Sequence, residues 1–315
     1  MTDSHASSPA SSQGFSSSFW SANISELFER IAFYGMTPML VVYLTEARGF
    51  DADTAIAIGG NFGLATYGLA AISGFVADSL GYRRALLLAY GLLTLGYALT
   101  GQAHSSLAIM GSLLCVALGA SLVKPIITGT VQKGCSESRR AIGFSIYYTL
   151  VNIGGFLGPN LSAQVRSRFG AELVFVTSAG VGLLALVLVL FFYREPLESD
   201  PAPKRRVSEF LGDFGRVVSN PKLVTLFLLV AGWWSMFFAF MNVLPLYLRD
   251  DLQVSPWLLG FVPSLESLAV ICLQVVVGIA VRKMQPFKAI LLAVLLSSGG
   301  VALMGVMPLV QFAAL

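Results

Sequence analysis

Of the 315 residues, 56% are hydrophobic and only 12% are charged, and the mean hydropathy is +0.76. So few charges leave too little polar surface for a soluble domain, and much of the exterior must face lipid. A net charge of +3, with no basic run interleaved with aromatics, excludes a nucleic-acid surface.

Residues 1–19 are rich in Ser and lack Lys and Arg. They predict a disordered cytoplasmic tail and not the basic start of a signal peptide. Nine apolar windows follow, near 24–46, 56–78, 84–102, 105–131, 141–164, 171–193, 222–248, 256–281 and 286–308. Most reach the roughly 20 residues with which a helix crosses about 30 Å of hydrocarbon. Leu183 to Phe192 is apolar without interruption and Leu86 to Leu99 carries no charge, unlike the alternating strands of a barrel. The expected fold class is therefore all-α integral membrane.

Orientation follows from the basic residues. With residue 1 on the cytoplasmic side, the loops near Arg83, Lys133, Arg194 to Lys222 and Lys288 fall inside with fourteen of the twenty Lys and Arg. The opposite loops hold four. The stretch 194–221, with Pro196, Pro201, Pro203 and the run Lys204-Arg205-Arg206, reads as a linker carrying a short surface helix near 207–218. It divides a six-helix half, 20–193, from a second region, 222–315, with three helices. The flanks repeat: Tyr43-Leu44 recurs as Tyr247-Leu248, Gly74 as Gly278 and Arg84-Ala85 as Lys288-Ala289, each 204 positions apart. That offset sets Leu315 against Gly111, so a complete repeat would run roughly eighty residues further and add three helices. The expectation is a fragment or truncated product of a twelve-helix protein.

The first window opens on Glu26-Leu27-Phe28-Glu29-Arg30-Ile31-Ala32-Phe33-Tyr34-Gly35. Helical spacings of three and four let both acids reach Arg30 and line up Phe33 and Tyr34 nearby. A charged side chain in mid-bilayer costs about 2.5–3.5 kcal/mol on insertion scales, so such groups line polar cavities and carry function. Lys124, in the fourth window, needs an acid partner, and Glu29 or Glu26 supplies one. The alternatives are an interfacial cap for Glu26 and snorkelling for Lys124. Cys115, Cys135 and Cys272 are odd in number and lack metal-ligand spacing. No metal site, no Ser-His-Asp set and no phosphate loop is present, and His5 and His104 fall in the tail and a short loop, so an enzyme is excluded.

Gly74-Phe75-Val76-Ala77-Asp78-Ser79-Leu80-Gly81-Tyr82-Arg83-Arg84 resembles the loop signature of the major facilitator superfamily. Gly74 would permit close helix approach, Asp78 would cap or form an ion pair, and Gly81, Arg83 and Arg84 would turn and anchor the loop. Within that superfamily the opening strip resembles the E-x-x-E-R-F-x-Y-Y-G motif of proton-dependent oligopeptide transporters. Glu26, Glu29, Arg30, Tyr34 and Gly35 are identical, and Ile31 and Phe33 are apolar replacements. Gly119 to Pro125 looks like the family's fourth-helix segment ending in Lys-Pro, Phe144 to Gly154 looks like its F-Y-x-x-I-N-x-G signature, and Tyr67 falls where the family has a cavity tyrosine.

The resemblance covers about residues 20–165. It implies the major facilitator fold, about nine helices of twelve, and proton-coupled import of small peptides or peptide-like solutes from a midplane cavity. It also implies no cofactor beyond the coupling proton. Proton coupling would fall on Glu26, Glu29, Arg30 and Lys124, and substrate binding on Arg30, Phe33, Tyr34, Tyr67, Lys124 and Asn152. The location would be the plasma membrane with the N-terminus cytoplasmic, and oligomeric state stays open. Departures stand beside the matches. Thr37 replaces a commonly basic residue, and Ala231 to Leu248 lacks the seventh-helix acid. Glu266 in the eighth window is the compensating candidate for a substrate amine, and Trp233 and Trp234 are minor candidates for a cavity wall. Pro38, Pro159, Pro245 and Pro263 are expected to kink their helices. A drug/proton antiporter and a truncated non-transporting membrane protein remain as rival readings.

Overall fold

The computed structural model describes residues 14–195, 207–281 and 283–306. It is a helical bundle of α1 (Ser17–Glu46), α2 (Ala52–Leu80), α3 (Tyr82–Gln102), α4 (Ser106–Gly134), α5 (Arg140–Phe169), α6 (Ala171–Phe192), α7 (Val207–Val218), α8 (Pro221–Leu246), α9 (Pro256–Val281) and α10 (Pro286–Val306). A 3₁₀ turn, Glu137–Arg139, precedes α5, and a π turn, Tyr247–Asp251, continues α8. Among the described residues seven helices are long and apolar enough to cross a membrane, and α2 makes eight if its two arms count as one span. The described apolar part of α10, Phe287–Leu303, is shorter than a full span. Large side chains such as Leu64, Leu107 and Phe191 are exposed, as lipid-facing residues are.

Short polar residues set the helix starts. The Ser16, Asp51 and Ser105 side chains accept from the backbone N–H groups of Phe19, Thr54 and Ala108 at 2.9–3.2 Å. The Ser16 cap corrects the expected tail: α1 begins at Ser17, within 1–19, because Phe15 also stacks on Phe19 at 4.3 Å. The rest of that tail, 1–13, and the linker's prolines and basic run lie outside the described residues. Gly81 alone separates α2 from α3. Its φ of 81° is a left-handed turn that a side chain would strain.

The sharpest break within a span carries no proline. The arms Ala52–Ala70 and Ile72–Leu80 of α2 meet at 53°. Ser73 donates to the Leu69 carbonyl at 2.9 Å, a back-bond that bends helices, and its oxygen lies 3.0 Å from Ser121 of α4. At Pro245, whose missing N–H interrupts the ladder, α8 passes into the π turn.

α1 lies at the centre, packed on α5, α6 and α4, while α3 packs on α4 and α6. α8 meets α1 and α2, and α9 meets α5. Glycine allows the close crossing of α1 and α5. A Cβ on Gly158 of α5 would sit 2.5 Å from the Ile31 carbonyl oxygen and 2.8 Å from the Gly35 nitrogen. One on Gly154 would sit 2.5 Å from the Arg30 Cβ. This crossing sets Arg30 against α5.

Candidate functional site

Glu26, Glu29 and Arg30 are 1%, 0% and 7% exposed, and the turn of α1 that carries them is enclosed by α5, α6 and α4. Both ion pairs run through the Arg30 Nε, which donates to Glu29 Oε2 and lies 3.4 Å from Glu26 Oε1. Tyr147 of α5 donates its hydroxyl to the same Glu26 oxygen at 3.4 Å. The guanidinium carbon stands 5.2 Å from the Phe33 ring centroid and 5.3 Å from that of Tyr34. Aromatic faces thus support the cation from below. Glu26 Oε2 and Glu29 Oε1 are buried and find no hydrogen-bond partner among the described residues.

Lys124 of α4 is exposed along its own helix yet lies within electrostatic reach of Glu26, Glu29 and Arg30. It forms no ion pair within 4.0 Å among the described residues. Two acids and two bases balance when all are ionised. Protonating one acid leaves a positive charge that an anionic group can neutralise, which is the chemistry this arrangement permits.

The remaining expected residues divide. Tyr67 stacks obliquely on Phe238 of α8 at 4.9 Å and is 46% exposed. Both Tyr34 and Tyr67 lie in the field of Glu266, which is exposed on α9 one turn beyond the buried Pro263. A Cβ on Gly155 of α5 would meet the Ser267 hydroxyl and stand 3.5 Å from the Tyr34 ring, so Tyr34 and the turn of α9 that carries Glu266 approach the same stretch of α5. Asn152 does otherwise: its amide donates to the Tyr148 carbonyl of its own helix at 2.8 Å. Trp233 and Trp234 pack on Phe237, Trp234 also stacks on Phe238, and Trp233 reaches Ser297 at 3.2 Å.

The loop signature is only partly as expected. Among the described residues no atom stands within 4 Å of a Cβ on Gly74, so that glycine serves no close approach to them. Asp78 neither caps nor pairs among the described residues. Glu195, just past α6, accepts from the Tyr82 N–H at 2.7 Å and takes the capping role. Arg83 donates to the Leu190 and Tyr193 carbonyls at 2.8 and 3.2 Å, satisfying the end of α6. Arg84 is exposed.

Two features escaped the sequence reading. Tyr147 bonds Glu26, although the reading of Phe144 to Gly154 singled out only Asn152. At the other end of α1, Glu46 pairs with Arg166 of α5 and, at 3.3 Å, with Arg249 of the π turn, which also donates to Thr45 at 2.9 Å. Arg249 and Asp250 form paired hydrogen bonds at 2.6 and 2.8 Å. Residues 120 and 203 positions from Glu46 meet it only in the folded chain.

The chain resembles "Dipeptide and tripeptide permease B" of Aliivibrio fischeri (strain MJ11), 29% identical over 206 residues. The match covers 62% of this chain and 41% of that protein. The permease of the same name from Salmonella typhimurium is 32% identical over 175 residues, 54% of this chain and 35% of that one. The chain thus spans less than half the length of these curated relatives. Two solved structures share the fold. A POT family transporter in complex with thioalcohol conjugated peptide has a TM-score of 0.68 at 20% identity, covering 85% of this chain and 70% of that one. A peptide transporter POT in complex with sulfate has a TM-score of 0.68 at 22% identity, covering 87% and 71%. The model of the Major Facilitator Superfamily matches residues 23–315, and the chain belongs to that superfamily.

Proposed function

We propose that this protein is a proton-coupled secondary transporter that imports small peptides or peptide-like solutes. The observation that carries this reading is the buried Glu26–Glu29–Arg30 cluster with Lys124 facing it, four ionisable groups that pure packing would not retain. The likeness to dipeptide and tripeptide permeases supports the substrate class. In this reading a proton on one acid frees Lys124 or Arg30 for the carboxylate of a peptide. Glu266, beside Tyr34 and Tyr67, receives the amine in place of the acid missing from Ala231 to Leu248. Two halves joined by the 194–221 linker rock about this site in an inner membrane, with the N-terminus in the cytoplasm.

The test is uptake of a labelled dipeptide by proteoliposomes under an inward proton gradient. Accumulation that tracks the gradient, with proton co-entry, is expected. Uptake of equal extent with and without the gradient would remove the coupling, and indifference to unlabelled peptide would remove the substrate class.

In the proposed orientation the Glu46–Arg166–Arg249 network ties the halves together on the outer side. Exposed pairs contribute about 0.2–1 kcal/mol each, so Arg249→Gln should raise outward opening by roughly fivefold at most. A thiol-blocking reagent applied from outside reads this at Tyr67→Cys, with Cys115, Cys135 and Cys272 replaced by serine. An unchanged labelling rate would deny the network a gating role.

A further inference from the structure

The linker between the two membrane regions is tied to the bundle at both ends. At its start Glu195 accepts from the Tyr82 N–H, and Arg83 holds the Leu190 and Tyr193 carbonyls. At its far end α7 turns into α8 at one residue. The Asn220 N–H donates to the Val217 carbonyl at 3.2 Å, while the Asn220 side chain accepts from the N–H groups of Lys222 and Leu223 at 3.1 and 3.5 Å. The same residue thus closes α7 and caps the span, and α7 packs on α8. This corner fixes the end of α7 at the level of the first turn of a membrane-crossing helix, where the hydrocarbon begins.

α7 has 12 residues and cannot cross the bilayer. A helix of that length reaches about 18 Å of the roughly 30 Å required, so it must run along the surface. Helical register gathers positions Val207, Phe210, Leu211, Phe214, Val217 and Val218 within an arc of about 120°, all apolar in sequence. Ser208, Glu209, Asp213 and Arg216 fall on the opposite arc with two glycines. Of the apolar face, Phe214 is 53% exposed and Val218 54%. A face of this kind, held at the foot of a span, has the bilayer beside it, and lipid removes it from water.

Charge selects the kind of lipid. From Arg194 to Lys222 six bases and five acids nearly cancel, but they are unevenly placed. Lys204-Arg205-Arg206 stands directly before Val207, and Arg216 and Lys222 follow, against only Glu209 and Asp213. Apolar residues on one arc with bases gathered at the ends match a layer that is apolar beneath and negative above. We propose that α7 lies in the headgroup layer of an anionic leaflet, with its Phe214 and Val218 face at the acyl boundary and the Lys204-Arg205-Arg206 run on the lipid phosphates. In the proposed orientation this is the cytoplasmic leaflet. The proposal requires a membrane-embedded chain and does not depend on what the chain transports.

Site-specific fluorescence of the full chain in vesicles tests it. Cys115, Cys135 and Cys272 are replaced by serine, and an environment-sensitive fluorophore is attached in turn to Gly212→Cys, Phe214→Cys, Arg216→Cys and Val218→Cys. The vesicles are phosphatidylcholine alone, or phosphatidylcholine and phosphatidylglycerol in equal parts. In the anionic vesicles brominated acyl chains should quench the probes at 214 and 218 and spare those at 212 and 216, which a neutral water-soluble quencher should reach instead. Each Lys or Arg near such a surface strengthens binding by roughly fivefold. Lys204→Gln, Arg205→Gln and Arg206→Gln together should therefore lower the lipid quenching at 214 and 218, as should high salt or the neutral vesicles. Equal lipid quenching in neutral and anionic vesicles, or in the triple variant and its parent, would remove the anionic partner and overturn the proposal. Probes at 214 and 218 sheltered from both quenchers would mean that protein covers this face, from the chain itself or a second copy, and would overturn it as well. So would free access of the water-soluble quencher to all four positions in anionic vesicles.

Discussion

Gly158→Leu is expected to prevent recovery of folded protein, and Gly158→Ala to lower its melting temperature sharply. The first Cβ atom at this position already meets the Ile31 carbonyl oxygen at 2.5 Å and the Gly35 nitrogen at 2.8 Å. Both are backbone atoms of α1, so no side chain can swing aside. Overpacking a well-filled core costs about 1–3 kcal/mol, and a contact onto rigid backbone belongs at the upper end of that range. The strain falls one turn from Arg30, because Gly154 faces the Arg30 Cβ at 2.5 Å. Detergent-solubilised protein, assayed by size-exclusion profile and thermal melting, checks this. A wild-type melting temperature for Gly158→Ala would show that α1 and α5 can separate freely, and the packing account of the site would be wrong.

The second large effect is expected at the ion cluster. Arg30→Ala removes the partner shared by two fully buried carboxylates. Breaking a buried pair from one side costs about 3–5 kcal/mol, because the charge left behind has neither water nor counterion. Lys124, without direct contact, cannot take over both pairs. Severe destabilisation or loss of expression is the expected result. Glu29→Gln is gentler on the fold, since it keeps the shape and removes the charge. It should reduce gradient-driven uptake to the level of empty liposomes while sparing exchange of peptide across the membrane. Lys124→Ala should also lose driven uptake, with weaker binding of substrates that carry a free carboxylate. Gradient-driven uptake that survives in Glu29→Gln, Arg30→Ala and Lys124→Ala alike would overturn the coupling role.

The helices were legible because hydropathy in a bilayer is a local property: each span needs its own apolar run, whatever its neighbours do. The caps at Ser16, Asp51 and Ser105 went unread, and Ser16 fell within the expected tail, because an apolar window marks the span and not the polar residue before it. The Glu26–Glu29–Arg30 strip was legible too, because one helix carries all three members. The bend in α2 was not, because the expectation looked for proline, and here a serine back-bond at Ser73 precedes the 80th residue with no proline near it. Nor was the capping acid of the signature loop. Asp78 was the nearer candidate in sequence, yet Glu195, 113 positions from Tyr82, arrives through the packing of α6 on α3.

Composition, basic-residue bias and the spacing of three charges on one helix were enough to define a membrane-spanning helical chain with an ionisable strip in its first span. Those features depend on solvent and on helix periodicity, which every residue meets alone or with its neighbours four positions away. Tertiary structure alone decided that Tyr147 rather than Asn152 bonds within the cluster, that Gly158 sets the α1–α5 distance, and that Arg166 and Arg249 converge on Glu46. These depend on which faces of distant helices come into contact and how closely, and that is set by side-chain volume and backbone approach across the whole bundle.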